Sequence, residues 1–361
     1  MRILTINPGS TSTKVVLFQS GRAVRDVELR HDKTELAPFA RVIDQLDYRL
    51  ATVLQALGEE EGPGGLGALD AVVGRGGLLA PLPGGTYAVD EAMLADLRDA
   101  RHGEHSSNLG AFMALEFARA HHCPAYVVDP IVTDELDPVA RLTGLPEVER
   151  RSVFHALSQR GAAREAARRL NLRYEDENFL VAHLGGGISI GAHRLGRVAD
   201  VVNALDGEGP FSPERSGAVP AQALISLIEN GTYTPAELRQ VVTTRAGLFA
   251  LLGTNDLRQV EALTDNGDAR AALVFSALAY AVAKSIASLA PVFAGPEGLL
   301  LLAVVLTGGM ARSARLVAAI TARVAFLAPV LVVTGLEEMA VMAAGAERAL
   351  LGETPVLRYR P

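Results

Sequence analysis

A strand–turn–strand pattern occurs once in each half of this chain of 361 residues, and it constrains the fold more than any other feature. In the first copy, the apolar runs Ile3–Ile6 and Val15–Phe18 flank a polar turn over residues 7–14. In the second copy, within residues 180–193, apolar runs flank three consecutive glycines. Elsewhere, short apolar runs alternate with longer helical ones, which is typical of an α/β fold. The pattern predicts two duplicated α/β domains, each with a β-hairpin at its start.

The turn of the first hairpin is rich in hydrogen-bond donors. Its sequence is Asn-Pro-Gly-Ser-Thr-Ser-Thr-Lys, and it brings four hydroxyl groups and the ammonium group of Lys14 into a small volume. Phosphate oxygens need many donors, because a buried anion without partners is costly. The spacing is not that of a Walker A loop, and a strand rather than a helix follows. The turn predicts a phosphate-binding loop, with an ordinary Ser/Thr-rich turn as the alternative.

Two further glycine segments follow apolar runs. Gly185, Gly186 and Gly187 come after the run that ends at His183, and glycine at such a position lets the backbone approach a ligand closely. Gly308 and Gly309 lie between a predicted strand and a helix that begins near Ser313, an arrangement that often receives a nucleotide. Each segment alone could be a glycine-rich corner. The three together predict a nucleotide site.

Composition narrows the classes of function. The formal net charge is −7 and the isoelectric point is about 5.7, which argues against nucleic-acid binding. Cys123 is the single cysteine, which excludes an intramolecular disulfide. The first residues carry no basic segment followed by an apolar one, so we expect no signal peptide and a cytoplasmic location. The longest aliphatic run, residues 299–306, is too short to span a bilayer and predicts a buried strand, so we expect no membrane partner.

The three glycine segments, in this order, resemble the phosphate 1, phosphate 2 and adenosine segments of the superfamily of acetate and sugar kinases, heat-shock chaperones and actin. Within that superfamily, residues 7–14 and 183–189 resemble the acetokinase family. Further segments resemble butyrate kinases in particular, namely residues 73–78, 104–110, 128–130, 134–136, 152–157 and 203–217. The resemblance runs along essentially the whole chain. One departure is Gly186, where acetate kinases carry asparagine.

The resemblance implies an α/β fold of two duplicated actin-like (ribonuclease H-like) domains around a nucleotide cleft. The N-terminal domain is expected to comprise residues 1–151 plus 337–361, with the phosphate 1 loop and the substrate residues. The C-terminal domain, residues 152–336, is expected to carry the phosphate 2 and adenosine segments. We also expect a homo-oligomer, a dimer or larger.

The activity that the resemblance implies is direct in-line transfer of a phosphoryl group to a short-chain fatty acid, in which butyrate and ATP give butyryl phosphate and ADP, with Mg²⁺ as cofactor. An acetate, propionate or branched-chain (isobutyrate) kinase remains an alternative, because an extra methylene changes the binding free energy by only about 1–3 kcal/mol. A nucleotide-dependent chaperone or sensor module is the alternative from another class.

Four residues are the candidates for catalysis. Attack by a carboxylate on an anionic phosphate requires positive charge and positioning, and guanidinium groups supply both. Arg75 and Arg215 lie in loops bounded by glycine or proline and suit this task, with structural loop arginines as the alternative. Asp129 follows a predicted strand, and the resemblance places it beside the transferred phosphoryl group. By the same resemblance His155 donates a hydrogen bond to the phosphoryl oxygens.

The remaining candidates bind the nucleotide, the substrate or the metal. For the nucleotide, they are Asn7, Ser10, Ser12, Lys14, His183, Gly185, Gly186, Gly187, Asp256, Leu257, Arg258, Gly308 and Gly309. His105 and Asn108 are expected to form the substrate loop. Glu337 and Glu338 are the metal candidates, one of them binding Mg²⁺ through water, although acidic residues also favour a first helical turn by themselves.

Overall fold

A computed structural model describes residues 1–58, 65–296 and 298–361. The chain forms two compact units, the first made of Met1–Asp134 with Leu336–Pro361 and the second of Glu135–Gly335. The first boundary therefore differs from the predicted one, because residues 135–151 belong to the second unit. Ion pairs fix them there: Glu135 pairs with Arg160 at 3.0 Å and Arg150 pairs with Asp200 at 2.9 Å.

The strands are, in chain order, β1 (Arg2–Pro8), β2 (Ser12–Gln19), β3 (Arg22–Arg30), β4 (Ala71–Gly74), β5 (Thr86–Ala88), β6 (Ala125–Val128), β7 (Asn178–Leu184), β8 (Ile188–Arg194), β9 (Arg197–Val202), β10 (Ala294–Gly295), β11 (Gly298–Leu299), β12 (Ala303–Thr307), β13 (Val330–Val333) and β14 (Val356–Leu357). The α-helices are α1 (Lys33–Leu36), α2 (Leu46–Leu57), α3 (Glu91–Asp99), α4 (Leu109–Ala120), α5 (Pro138–Arg141), α6 (Ala156–Arg169), α7 (Ala221–Glu229), α8 (Pro235–Thr244), α9 (Gly247–Leu252), α10 (Leu257–Asp265), α11 (Ala269–Ser288), α12 (Ala314–Val324) and α13 (Glu338–Leu350).

The first unit is built on a sheet with the strand order β14-β5-β6-β4-β1-β2-β3. Its first three strands form an antiparallel meander, and β4 lies parallel to β1 on the other side. Alternation explains the meander, because Leu4, Ile6, Val15 and Leu17 face one core that also contains Val53 of α2. The hairpin predicted at the start of the chain is confirmed, with Asn7 opposite Lys14 across its turn.

The second unit repeats this plan, with the strand order β13-β12-β7-β8-β9. Again three consecutive strands form an antiparallel meander, and a later strand, β12, lies parallel to the first of them. The predicted duplication is therefore confirmed by topology. The predicted strand over 299–306 is shorter than expected: β12 is fully buried, whereas Leu299 and Leu300 are exposed.

One helical stretch in the described part of the chain, Ala269–Phe293, is long and apolar enough to cross a membrane by length and composition. Its apolar residues pack within the second unit, since Val274, Phe275, Leu278 and Val282 lie in the core beneath the sheet. A core helix passes the same test, so the stretch is weak evidence for a membrane span.

Candidate active site

The polar turn between β1 and β2 is held by a buried arginine. Arg49 of α2 is fully buried and donates from Nη1 to the carbonyl oxygens of Gly9 (2.8 Å) and Ser12 (3.0 Å) and to Thr13 Oγ1 (3.1 Å). Its Nη2 donates to the carbonyl oxygen of Ser10 at 3.0 Å. One guanidinium group thus binds three carbonyl oxygens and one hydroxyl group of the predicted phosphate 1 loop.

Arg49 has neutral acceptors around it. Its remaining donor, Nε, binds Gln45 Oε1 at 3.0 Å, and within the described residues no carboxylate pairs with it. Burial lowers the pKa of Arg49 below its ordinary value, but an arginine stays charged. The result is an uncompensated positive charge next to the turn, which favours an anion bound there. A histidine contacts the same turn, since His31 Nε2 lies 2.8 Å from Thr13 Oγ1.

Two cations of the first unit lie opposite the two glutamates at the start of α13. Lys14 Nζ is 3.8 Å from Glu337 Oε2, and Arg75 Nη1 is 3.4 Å from Glu338 Oε2. The Arg75 side chain is only 16% exposed. Its Nη1 is buried and, apart from the ion pair with Glu338, makes no hydrogen bond among the described residues. A guanidinium in this state favours a further planar anion.

The Arg75 loop is fixed by the segment that the sequence identified as the substrate loop. Asn108 Oδ1 accepts from the backbone N–H of Leu78 at 2.9 Å, and Asn108 Nδ2 donates to the carbonyl oxygen of Gly103 at 3.0 Å. The oxygen and the nitrogen of the Asn108 side chain thus both bind backbone groups. His105 Nδ1 accepts from the backbone N–H of Ser107 at 3.2 Å, and burial, followed by the charge of Arg75, lowers the pKa of His105.

Asp129 lies directly after β6 and is buried. Its φ of 40° is in the left-handed region, which a residue other than glycine adopts at some cost. The backbone N–H of Asp129 donates to the carbonyl oxygen of Gly85 at 2.9 Å, which holds this conformation. Strain of this kind is concentrated at functional sites.

In the second unit, the glycine loop and Arg215 form one assembly. Ser212 Oγ donates to the carbonyl oxygen of Gly186 at 2.7 Å and accepts from the backbone N–H of Arg215 at 3.3 Å. Arg215 Nη1 donates to the carbonyl oxygen of Ala204 at 2.7 Å. Burial lowers the pKa of Arg215 and the neighbouring Glu214 opposes this shift, so the guanidinium keeps its charge next to the loop.

His155 and His183 stack at the same loop, with ring centroids 3.9 Å apart and planes inclined by 14°. A serine holds each ring: Ser189 Oγ lies 2.8 Å from His155 Nδ1, and Ser158 Oγ lies 2.9 Å from His183 Nδ1. Burial lowers the pKa of His183 to about 4. His183 is therefore a neutral ring near pH 7, suited to hydrogen bonding rather than to pairing with charge.

The predicted adenosine segment lines a cavity of about 720 Å³ in the second unit. The lining includes the predicted residues Gly185, Gly186, Asp256, Leu257, Arg258 and Gly309. Asp256 caps the start of α10 by accepting from the backbone N–H of Arg258 at 2.9 Å, and it pairs with the Arg258 guanidinium at 2.6 Å. The Arg258 side chain is 89% exposed, so its planar face is accessible to a ligand. Gly308, with φ of 91°, lies against the carbonyl oxygen of Leu184 at the glycine loop.

Each unit thus brings together its own share of the predicted residues. The first unit holds the turn over residues 7–14, Arg75, His105, Asn108, Asp129 and the two glutamates of α13. The second unit holds His155, His183, the three glycines, Arg215, Asp256, Leu257, Arg258, Gly308 and Gly309. Within the described ranges, no three His, Cys, Asp or Glu side chains form a group that could hold a metal ion by themselves.

Several residues that support the site were missing from the sequence analysis. Arg49 is one, although its place in the sequence held a signal: Arg49, Val53 and Leu57 recur at a spacing of four and share the buried face of α2. Ser158, Ser189 and Gln159 are others. Nothing in their sequence neighbourhood distinguishes them from ordinary polar residues of a helix or strand.

Comparisons with known proteins agree with this geometry. Residues 146–339 match the model of the acetokinase family. A protein of Maridesulfovibrio salexigens named probable butyrate kinase is 52% identical over 360 residues, covering 99% of this chain and 98% of the relative. A second, of Oleidesulfovibrio alaskensis with the same name, is 50% identical over 369 residues, covering 99% and 98%.

Solved structures show the same fold at lower identity. An acetate kinase of Porphyromonas gingivalis superposes with a TM-score of 0.75 at 21% identity, covering 97% of this chain and 99% of the other. A propionate kinase of Francisella tularensis gives 0.70 at 19% identity, covering 95% and 98%. The predicted actin-like fold of two duplicated domains is confirmed. With full-length relatives that share half of its residues and a family match across most of its second unit, the chain belongs to the acetokinase family.

Proposed function

We propose that this protein is an ATP-dependent kinase that phosphorylates the carboxylate of butyrate, yielding butyryl phosphate and ADP. The observation that carries the proposal is the position of Arg215, which is bound through Ser212 to a glycine loop that also lines the 720 Å³ cavity. A fixed cation next to a loop at a nucleotide-sized cavity suits transfer of a phosphoryl group. The two relatives named probable butyrate kinase support butyrate as the acceptor.

The proposed chemistry is one displacement. A carboxylate oxygen of butyrate attacks the γ-phosphorus of ATP, the new carboxylate–phosphorus bond forms, and the bond to the β-phosphate oxygen breaks with its electron pair leaving on ADP. No proton is transferred. Arg75 binds the carboxylate of butyrate, and Arg215 stabilises the charge that spreads over the phosphoryl oxygens. His155 and His183 donate hydrogen bonds to the same oxygens, and Asp129 orients the acceptor.

We assign the β- and γ-phosphates to the turn over residues 7–14 and to the glycine loop, with Asn7, Ser10, Ser12 and Lys14 as the first set of ligands. The adenosine lies in the cavity, where Gly309 and Arg258 contact the base and Asp256 accepts from the ribose. The exposure of the Arg258 side chain supports stacking on the adenine.

Glu337 and Glu338 suit Mg²⁺, since both are carboxylates with side chains exposed by 66% and 42%. Mg²⁺ takes one or two carboxylates together with substrate phosphates and water, so Glu337 beside Lys14 and Glu338 beside Arg75 are a sufficient protein donor set. When bound, the ion would neutralise charge on the phosphates.

A panel of acceptors tests the proposal. Acyl phosphate, trapped as its hydroxamate, would be measured with ATP and acetate, propionate, butyrate, isobutyrate or valerate. We expect the largest kcat/KM for butyrate. A larger value for acetate, propionate or isobutyrate would make the protein a kinase of that acid. ATP hydrolysis stimulated by peptide, with no acyl phosphate from any acid, would favour a chaperone or sensor module instead.

We also propose that the protein works in the cytoplasm as a homo-oligomer, a dimer or larger. The helix α7 supports the oligomer, because its sequence is strongly apolar yet none of its residues is buried. Ile225 and Ile228 remain 46% and 39% exposed there. Light scattering of the purified protein and of Ile225→Glu would test this. A monomeric wild-type protein would contradict it.

A further inference from the structure

A chain of buried polar side chains in the second unit ends at His155. It begins at Tyr174 and continues through His193 and Gln159 to Ser189, all of them between 0% and 2% exposed. The links are 2.9 Å from Tyr174 OH to His193 Nδ1, 3.1 Å from His193 Nε2 to Gln159 Oε1, and 2.8 Å from Gln159 Nε2 to Ser189 Oγ. The last link joins Ser189 Oγ to His155 Nδ1 at 2.8 Å. None of the first four side chains belongs to the predicted site.

The direction of donation along this series of hydrogen bonds is set at Gln159. Its Nε2 donates to the backbone carbonyl oxygen of Ser189 at 3.1 Å, and a carbonyl oxygen can only accept, so the two ends of the amide are distinguished. The amide oxygen of Gln159 then faces His193, which must donate from Nε2. Burial lowers the pKa of His193 well below its ordinary value, so its other nitrogen is a lone-pair acceptor for the Tyr174 hydroxyl.

The donor and acceptor positions of the Ser189 hydroxyl determine where its proton points. A hydroxyl group has one donor and two acceptor positions. Both acceptor positions of Ser189 Oγ are used, by Gln159 Nε2 at 2.8 Å and by the backbone N–H of His155 at 3.3 Å. The hydroxyl proton must therefore be donated to His155 Nδ1. A neutral His155 then carries its own proton on Nε2, the nitrogen remote from Ser189.

We propose that Ser189 and Gln159 are positioning residues, which hold His155 in the tautomer whose Nε2 carries the proton. The inference rests on the proposed function for its consequence, because Nε2 is the nitrogen that would donate to an anionic phosphoryl oxygen. In the other tautomer this nitrogen would present a lone pair to the anion, which repels it. This series of buried hydrogen bonds thus determines whether His155 attracts or repels the transferring phosphoryl group.

A glycine in β8 gives independent support. A Cβ at Gly191 would overlap Gln159 Oε1 and come within 3.0 Å of His193 Nε2. β8, which lies between β7 and β9, therefore carries no side chain at the position that the amide oxygen of Gln159 approaches. Gly191 has no positive φ that would require glycine for another reason.

The inference is tested by measuring the tautomer of His155 directly. The full chain, labelled with ¹⁵N-histidine, would be studied without ligand by long-range ¹H–¹⁵N correlation, which distinguishes a protonated from a bare ring nitrogen. The His155 signal, one of eight histidines, is identified by its loss in His155→Gln. We expect a bare Nδ1 and a protonated Nε2 in the wild-type protein. In Ser189→Ala, and through displacement of Gln159 in Gly191→Ala, we expect a mixture of tautomers.

Kinetics complete the test. Ser189→Ala should lower kcat for acyl phosphate formation by roughly tenfold to a hundredfold, the value of one lost hydrogen bond to an anion, with smaller changes in KM. Thr264→Val is the control, since the Thr264 hydroxyl donates to the carbonyl oxygen of Val260 in its own helix. The control should change neither kcat nor the tautomer.

The wild-type spectrum can overturn the inference even if no variant folds. A protonated Nδ1 on His155 in an active kinase would do so, as would a Ser189→Ala protein with unchanged tautomer and kcat. A protein with the expected tautomer but no acyl phosphate formation would support the assignment of the proton and refute the proposed function instead.

Discussion

The side chain of Arg215 occupies the space that a Cβ at Gly187 would need. A Cβ built there would overlap Arg215 Nη1 and lie 2.9 Å from Arg215 Cζ. The third glycine of the loop is therefore not required by its backbone angles, because its φ is not positive. It is required because the proposed transition-state cation lies directly against it.

Gly187→Ala should accordingly act as an indirect Arg215 variant. The new methyl group must displace the guanidinium, so we expect kcat to fall by at least about tenfold, a change of about 1.4 kcal/mol in the barrier. Gly144→Ala is the matched control, because a Cβ at Gly144 meets nothing within 4 Å and its φ is not positive. Steady-state kinetics of both variants would check the prediction. Equal activities would remove the link between Gly187 and Arg215.

Arg215→Ala and Arg75→Ala should separate the two kinetic constants. Loss of Arg215 should lower kcat by roughly a thousandfold, as for other arginines that stabilise a transferring phosphoryl group, with little change in KM for ATP. Loss of Arg75 should mainly raise KM for the carboxylate, because we assign it to ground-state binding. The measurement is kcat and both KM values for each variant. Full activity of Arg215→Ala would exclude this residue from the mechanism.

The parts of this molecule that the sequence predicted are those set by local patterns. Apolar periodicity and turn residues predict the hairpins, a buried strand over 125–128 and a helix over 108–120. The last two are observed as β6 and as α4, which begins at Leu109. The strand β3 was missed, because only Val27 and Leu29 of its nine residues pack against the core and the apolar alternation is correspondingly short. The apolar pattern over residues 38–57 predicts one helix, yet α2 begins at Leu46, after a short 3₁₀ turn over Val42–Gln45.

The candidate site divides in the same way. Residues within glycine-rich motifs could be predicted as site residues, because the motif itself carries the resemblance. The contacts of supporting residues such as Arg49 and Gln159 could not be predicted, since their partners in the site are 36 to 40 and 30 to 34 positions away. Only the tertiary structure shows that Arg49 turns inward to bind carbonyl groups. An arginine in an amphipathic helix ordinarily predicts a solvated face.

Arg49→Lys should raise KM for ATP. A lysine has three donors on one atom and cannot reach the carbonyl oxygens of Gly9, Ser10 and Ser12 together, so the turn loses its shape while the charge remains. We expect KM to rise by roughly tenfold, the equivalent of one or two lost hydrogen bonds, with kcat less affected. Free guanidinium added to Arg49→Ala should restore part of the affinity.

The control for Arg49 is Arg25→Lys. Arg25, like Arg49, donates to backbone carbonyl oxygens, those of Leu57 at 3.0 Å and Ala56 at 2.7 Å, but at the C-terminal end of α2. This substitution should leave KM for ATP unchanged. A similar rise in KM for both variants would mean that α2 acts through general stability and that Arg49 has no particular role at the turn.

The stability of the fold should decrease in mild acid because of the half-buried His183 and the buried His193. Burial lowers the pKa of His183 to about 4, from an ordinary value of 6.5, and it lowers the pKa of His193 in the same direction. Below pH 6.5 the unfolded chain therefore binds protons that the folded chain does not. The free energy of unfolding is fully retained above this pH and falls as the pH decreases toward 4, by up to about 1.4 kcal/mol per pH unit for each histidine. Urea unfolding at pH values between about 4 and 8 would measure this slope.

His183→Gln should make the slope shallower, because it removes one of the two histidines that the folded chain leaves unprotonated. His122→Asn is the control and should leave the slope unchanged, because His122 is exposed and its φ of 53° is one that asparagine tolerates. An unchanged slope in His183→Gln would show that His183 titrates alike in both states, and that its ring is not held neutral by the site.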